Sequence, residues 1–181
     1  MSGLAQDDPR IRALRAAIRD VPDFPKPGIV FKDLTTLLKD PAAYRQAMDL
    51  MTESCRGLRP DKVVAIESRG FVPGAVVADR LGIGFVPVRK PGKLPYVRRS
   101  RSYALEYGTD SVEIHEDALA PGERAIVVDD LIATGGTAEA TGLLVRELGA
   151  SVAGFAFLVE LSFLKGRERL GDAEVRSIVV Y

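Results

Sequence analysis

With 181 residues, 46% of them hydrophobic and 28% charged, the chain has the size and composition of one globular domain and is too short for two ordinary ones. Lys plus Arg and Asp plus Glu balance at 25 each, which excludes a global attraction to nucleic acid or to an anionic membrane. A lone cysteine, Cys55, excludes an internal disulfide framework. No apolar run reaches membrane-span length, and Met1 to Arg10 lacks the basic start and apolar core of a signal peptide, so a soluble cytoplasmic protein is expected.

Ile11, Leu14, Ile18 and Val21 share one helical face, predicting a helix closed by Pro22. Pro22 to Asp33 carries three prolines and a glycine and reads as stiff, extended coil, whose Phe24, Ile29, Val30 and Phe31 should pack on something. Asp40 and Pro41 form an N-cap and N1 pair for a helix whose stripe is Tyr44, Met48, Met51 and Cys55, ended by Gly57; Cys55 is a core side chain. Val63 to Ile66 is a buried strand, followed by Glu67-Ser-Arg-Gly and a helix from about Pro73 to Leu81. Ile83 to Val88 is a further strand. Ser111 to His115 alternates, which predicts a hairpin arm over residues 94–115. Ala125 to Val128 opens as another buried strand and should run out at Asp129 and Asp130. A loop, a helix over Ala138 to Leu148, and strands at Val152 to Val159 and Val175 to Val180 follow. The alternation calls for a single-domain α/β fold over residues 1–181, a mostly parallel sheet flanked by helices with ligands at the carboxyl ends of its strands.

Strand, tight loop and helix between Ala125 and Leu148 bring unpaired first-turn N–H groups and a helix N-terminus to one point, which is an anion site. Gly135 and Gly136 let the backbone close on a phosphate, and Thr134 and Thr137 add hydroxyl donors. No Lys follows the glycines, so this is not a Walker loop. Asp129 and Asp130 would repel a phosphate unless they face something else. A vicinal diol fits, because ionised carboxylates only accept hydrogen bonds. The implied ligand is a ribose 5-phosphate. If the strand before Glu67 is its neighbour, Arg69 can hold a second phosphate group with its fork.

Residues 80–105 contain no acid but hold Arg89, Lys90, Lys93, Arg98, Arg99 and Arg101. A solvated face is the plain reading of such a run; a lid at residues 91–106, hinged at Gly92, uses its features better. Glu106 is the first acid after it. His115, the only histidine, has no second His or Cys near it, so a structural zinc site is excluded. Carboxylates with a substrate pyrophosphate suit Mg²⁺ instead.

Val127-Val-Asp-Asp-Leu-Ile-Ala-Thr-Gly-Gly-Thr137 resembles the phosphoribosyl pyrophosphate (PRPP) signature of the type I phosphoribosyltransferases. Beyond it the chain is similar, over almost its whole length, to their adenine branch. The carrying pieces are Phe24 to Asp33, Ala65-Ile-Glu-Ser-Arg-Gly-Phe71, Arg89 to Pro95, Tyr103-Ala-Leu-Glu-Tyr-Gly108 and Leu158 to Leu170. The resemblance implies transfer of ribose 5-phosphate from PRPP to adenine, giving AMP and pyrophosphate, with Mg²⁺, in a homodimer that binds neither nucleic acid nor membrane. It implies a hood made of residues 1–35 and the C-terminal segment. It puts Asp129, Asp130, Ala133, Thr134, Gly135, Gly136, Thr137, Ser68, Arg69 and Lys90 around PRPP, and Val30, Lys32 and Leu131 around adenine. It gives Glu106 the proton of the base and, with Arg69, a catalytic place. Lys32 departs from the family, where many relatives carry Arg, and a lysine cannot make a guanidinium's stacked or forked contact. Two neighbouring classes share the fold: ligand-sensing domains of purine regulators, and xanthine or hypoxanthine transferases.

Overall fold

The computed structural model describes residues 5–104 and 108–181. Helix α1 (Pro9–Ala17) starts where Asp8 accepts the N–H of Arg10, and it stops short of the predicted Val21. Ile18 is already extended, and Arg19 donates its N–H to the Thr36 hydroxyl as the chain enters β1 (Arg19–Pro22). β1 pairs antiparallel with β2 (Val30–Asp33), so the proline-rich stretch is the closed end of a hairpin and not extended coil. Periodicity at Val21 fits either element, and its pairing with Phe31 decides for the strand, while Ile18 caps the helix and stays in the core. Asp23 and Gly28, both at positive φ, make the turn, and the Asp23 carboxylate accepts the Gly28 N–H at 2.7 Å. Phe24, Ile29 and Val30 are about half exposed, against the expectation that they pack; only Phe31 is partly covered, edge-on to Phe24 at 5.2 Å.

A helix too short to show a period in the sequence, α2 (Thr35–Lys39), precedes α3 (Pro41–Arg56). Asp40 caps α3 through the N–H groups of Ala42 and Ala43, as its place before Pro41 predicts. Then come β3 (Lys62–Ile66), α4 (Phe71–Leu81), β4 (Gly84–Val88), the hairpin β5 (Arg98–Ala104) and β6 (Thr109–His115), β7 (Arg124–Ile132), α5 (Gly136–Glu147), β8 (Ser151–Glu160), two short 3-10 turns at Ser162–Leu164 and Gly166–Leu170, and β9 (Val175–Val180). The main sheet is parallel throughout in the order β4-β3-β7-β8-β9. No helix among the described residues is long and apolar enough to cross a membrane.

Alternation along the central strands divides the core. Val63, Ala65, Ile126 and Val128 face α1, α3 and α4, with Ile11, Leu14, Met48, Met51, Cys55 and Val77. Val64, Ile66 and Val127 face the other way, onto Leu144 and Val145 of α5 and Val112 and Ile114 of the hairpin. Burial on both faces explains why these strands read as continuous apolar runs. The Cys55 thiol is pushed up to about 12 by that burial, which makes it a poor nucleophile.

Helix α4 lies unusually close to β3: a Cβ on Gly74 would stand 2.4 Å from the Cβ of Ala65. Gly74→Ala is therefore expected to destabilise the fold by about 1–3 kcal/mol through overpacking, despite alanine's better helix propensity. Urea unfolding measures it, and an unchanged or higher midpoint would mean that the helix shifts off the strand freely.

Candidate active site

The sheet order makes β3 and β7 neighbours while the chain leaves them in opposite directions, β3 toward β4 and β7 toward β8. This is the topological switch point of an open α/β sheet, where a crevice opens beyond the carboxyl ends of the strands. The loops after both strands line one cavity of about 400 Å³, bounded by Glu67, Ser68 and Arg69 on one side and by Asp129 to Ala138 on the other, with Lys90 at its rim. Asp129, Asp130, Leu131, Ala133, Thr134, Gly135, Gly136 and Thr137 all reach it, as do Ser68, Arg69 and Lys90. Val30 and Lys32 do not line it.

β7 runs on to Ile132, so the acid pair lies within the strand and not past its end. Asp129 pairs with Phe157 of β8 across the sheet, and its Oδ1 accepts the N–H of Asp130 at 2.8 Å. Burial and the neighbouring Asp130 charge push the Asp129 carboxyl well above the ordinary carboxylate range. Asp130, 6% exposed, lies 2.6 Å from Arg69 Nε but off the N–H direction, so the contact is an ion pair without a good hydrogen bond. That Oδ2 is buried and lacks a hydrogen-bond donor. A carboxylate pair in this state wants hydroxyl donors.

Two glycines set the walls. Gly70 follows Arg69 where any Cβ would stand 2.6 Å from Asp129 Oδ1 and from the Ile66 carbonyl, so only glycine lets the two loops approach. Gly135, at φ +82, precedes α5 with no side chain capping the helix, leaving the N–H groups of its first turn to face the cavity or a ligand in it.

Lys90 is positioned by residues that spacing alone did not single out. Glu67 accepts the Arg89 fork at 2.9 and 3.2 Å and the Lys90 N–H at 2.9 Å, tying the end of β4 to the loop after β3. The Arg89 guanidinium holds Glu67 below the ordinary carboxylate range. The Lys90 ammonium bonds to Asp110 and to the Tyr103 hydroxyl, which face each other across the β5–β6 hairpin. The arginines of the basic run are paired rather than free: Arg98 with Glu113, Arg99 with Glu116 and Arg101 with Glu147. Glu106 lies outside the described residues.

The β1–β2 hairpin stands at the same end of the sheet. Lys32 bonds to Asp20 at 2.7 Å and sits 4.1 Å from the centre of the Tyr181 ring, immediately after β9. Pro22 faces Val30 in the ladder. Proline has no N–H, so this must be the non-hydrogen-bonded kind of pair, which turns both the N–H and the C=O of Val30 away from β1. β2 has no other strand beside it among the described residues.

The model of the phosphoribosyl transferase domain matches residues 33–179. The chain is 58% identical over 168 residues to an adenine phosphoribosyltransferase of Synechococcus sp., covering 93% of this chain and 98% of that one. The chain belongs to the phosphoribosyltransferase family, among the adenine phosphoribosyltransferases. Its fold superposes with a TM-score of 0.91 on the adenine phosphoribosyltransferase of Thermoanaerobacter pseudethanolicus, 49% identical, covering 94% of this chain and 99% of that one. The Saccharomyces cerevisiae enzyme, solved with D-2,5-dideoxy-2,5-imino-altritol 1,6-bisphosphate and adenine, gives 0.87 at 40% identity over 94% and 98% of the two chains. The expectation of a parallel α/β sheet of the type I family is thereby met.

The raised Asp129 has a consequence for stability. The folded chain holds its proton above the ordinary 3.8, so folding loses stability as pH rises through 3.8 toward the folded value. Asp129→Asn removes that loss. The ligand-free variant should melt above the unmutated chain at pH 7, with the gap closing as pH falls toward 4. A scanning-calorimetry pH series that shows no gap, or a gap that widens in acid, would contradict the assignment.

Proposed function

We propose that the crevice transfers the ribose 5-phosphate unit of PRPP to adenine, giving AMP and pyrophosphate. The observation that carries this reading is that one cavity holds an acid pair between two strand-to-helix loops. The 5-phosphate takes the loop Ala133 to Thr137 at the start of α5, with backbone N–H groups and the Thr134 and Thr137 hydroxyls as donors. The ribose hydroxyls donate to Asp129 and Asp130, including the buried Oδ2 that lacks a donor. Pyrophosphate lies over Ser68 and Arg69, with Lys90 at its side; the Lys90 ammonium then exchanges Asp110 for a phosphate oxygen.

In the reaction a ring nitrogen of adenine bonds to the anomeric carbon while the bond from that carbon to pyrophosphate breaks, its electron pair leaving with pyrophosphate. The base gives up its N–H proton, and Glu106 is assigned to manage it. Arg69 and Lys90 stabilise the departing charge. Among the described residues no group of three or more His, Cys, Asp or Glu could cage a metal. Mg²⁺ would come as a companion of the diphosphate and would supply charge neutralisation there.

Adenine is placed between Leu131 and the hood hairpin. Its C6 amino group donates to the Val30 carbonyl and its N1 accepts from the Val30 N–H, the two groups that Pro22 leaves facing outward. Hypoxanthine would set carbonyl against carbonyl and N–H against N–H, leaving polar groups unpaired. Lys32, committed to Asp20 and the Tyr181 ring, braces the hood instead of covering the base. The half-exposed Phe24 and Ile29 belong to this hood, and residues 91–106 act as the lid that keeps water from the sugar. A homodimer working in the cytoplasm completes the reading, and sedimentation of the purified chain checks its dimer.

The decisive experiment supplies PRPP and Mg²⁺ with adenine, hypoxanthine, guanine or xanthine in turn. AMP should form, with adenine preferred in kcat/KM by as much as ~10⁴-fold over hypoxanthine. Comparable values for the two bases would sink the adenine assignment. Because backbone atoms read the base, Val30→Ile should keep the preference and Val30→Pro should lose adenine use. Glu106→Gln should keep substrate affinity and lower turnover by about 10²–10⁴-fold; turnover at the unmutated rate would leave Glu106 without a part in the chemistry.

A further inference from the structure

The segment after β8 is held against the phosphate loop, and the contact is backbone on backbone. A Cβ on Gly166 would stand 2.2 Å from the Ala133 carbonyl oxygen and 2.9 Å from the Gly135 nitrogen. A Cβ on Gly135 would stand 2.3 Å from the Gly166 carbonyl oxygen. Neither residue has a side chain to spare, and the fit is reciprocal. The segment is fastened on both sides of Gly166. Leu161 donates its N–H to the Ile132 carbonyl at 3.0 Å, at the end of β7, and Ser162 donates its N–H to the Tyr181 carbonyl at 3.0 Å. Arg167, directly after Gly166, forks onto Glu160 at 2.6 and 3.0 Å and donates to the Val175 carbonyl at 3.1 Å.

Glu160 is 6% exposed, at the carboxyl end of β8. Burial pushes its carboxyl up, but the Arg167 fork and the Ser177 hydroxyl outweigh burial and hold it below the ordinary carboxylate range. A buried, ionised carboxylate requires a partner of fixed geometry, and a planar fork supplies one where a point charge does not. The ion pair therefore ties the segment next to Arg167 to the carboxyl end of β8.

We propose that Arg167 and Gly166 are positioning residues for the sugar-phosphate end of the substrate. Arg167, anchored on Glu160, holds the Gly166 backbone against Ala133 and Gly135, so the phosphate loop has its binding shape before any ligand arrives. Neither residue lines the cavity or touches the substrate in this assignment. The effect is preorganisation: N–H groups already aimed at one point do not pay for ordering when the phosphate binds. The proposal rests on the reading of residues 133–137 as a phosphate loop.

The test uses the full chain and two variants, Gly166→Ala and Arg167→Lys, with calorimetric titration of ribose 5-phosphate and of pyrophosphate, each with Mg²⁺. Ribose 5-phosphate affinity should fall by about tenfold or more in both variants, and kcat/KM for PRPP by up to roughly 10²-fold, the scale of a small misplacement. The loss should sit mainly in KM. Pyrophosphate, which uses the loop after β3, should bind as it does to the unmutated chain. Ribose 5-phosphate affinity unchanged in both variants, or an equal loss for both ligands, would overturn the proposal. Gly166→Ala carries the risk of misfolding, and Arg167→Lys then decides alone, with melting followed to show that the fold persists. If the unmutated chain binds pyrophosphate but not ribose 5-phosphate, the phosphate-loop reading itself fails, which is a separate outcome from a strut that proves inert.

Discussion

Lys62 to Ala65 run beside Ala125 to Val128 in parallel register, and from that pairing the rest of the site follows. Each strand ends in a loop that enters a helix, and because the strands are adjacent and point the same way, both loops open at one place. Chain separation between Arg69 and Asp130 is large, yet their side chains meet at 2.6 Å. Gly70 makes the approach possible from one side. No flexible linkage is involved: hydrogen-bonded strands with apolar faces fix the distance between the loops as tightly as they fix the core.

The site is expensive for the fold. Two adjacent carboxylates sit on a buried strand, one of them driven toward its protonated form by burial and by its neighbour. An apolar pair at these positions would suit a strand core better. The molecule tolerates the arrangement because Arg69 offsets Asp130 and because the flanking stretches Val63 to Ile66 and Phe155 to Val159 are apolar and buried. A local breach of the rule that buries hydrophobic side chains marks the point where binding chemistry displaces stability.

Most of the architecture was legible from residue patterns for definite reasons. β-branched runs such as Val63 to Ile66 and Ala125 to Val128 announce strands covered on both faces, and Asp40 with Pro41 announces the start of α3. Asp129 to Thr137 is legible as a candidate site because two acids are followed by a loop of hydroxyls and glycines that leads into a helix, and these residues do line one cavity. Where periodicity is ambiguous the residue pattern does not decide the element. Val21 fits a helix until the pairing of β1 with β2 is known, and prolines that spell stiff coil instead close a hairpin. Four-residue strands leave too short a pattern to register. The bond from Glu67 to the Lys90 N–H and the bond from Lys90 to Asp110 join residues that no local spacing connects. Gly166 was visible only as part of a resembling motif; nothing in its neighbours says that a carbonyl from another loop lies against it.

Pro22 has a bearing on how the molecule behaves in a crowd. A two-stranded ribbon standing off the main sheet presents an edge of unpaired backbone groups, and such edges recruit strands from other chains. Here β2 is four residues long, and its flank carries Lys32 and Asp33, both committed to ionic contacts with β1. An invading strand would find too few groups in line, with charge among them. A flat heterocycle needs only one peptide unit. Under the proposed reading, in which Val30 takes the base, shortness separates two kinds of guest that ask for the same atoms, admitting the small planar one and turning the polymer away.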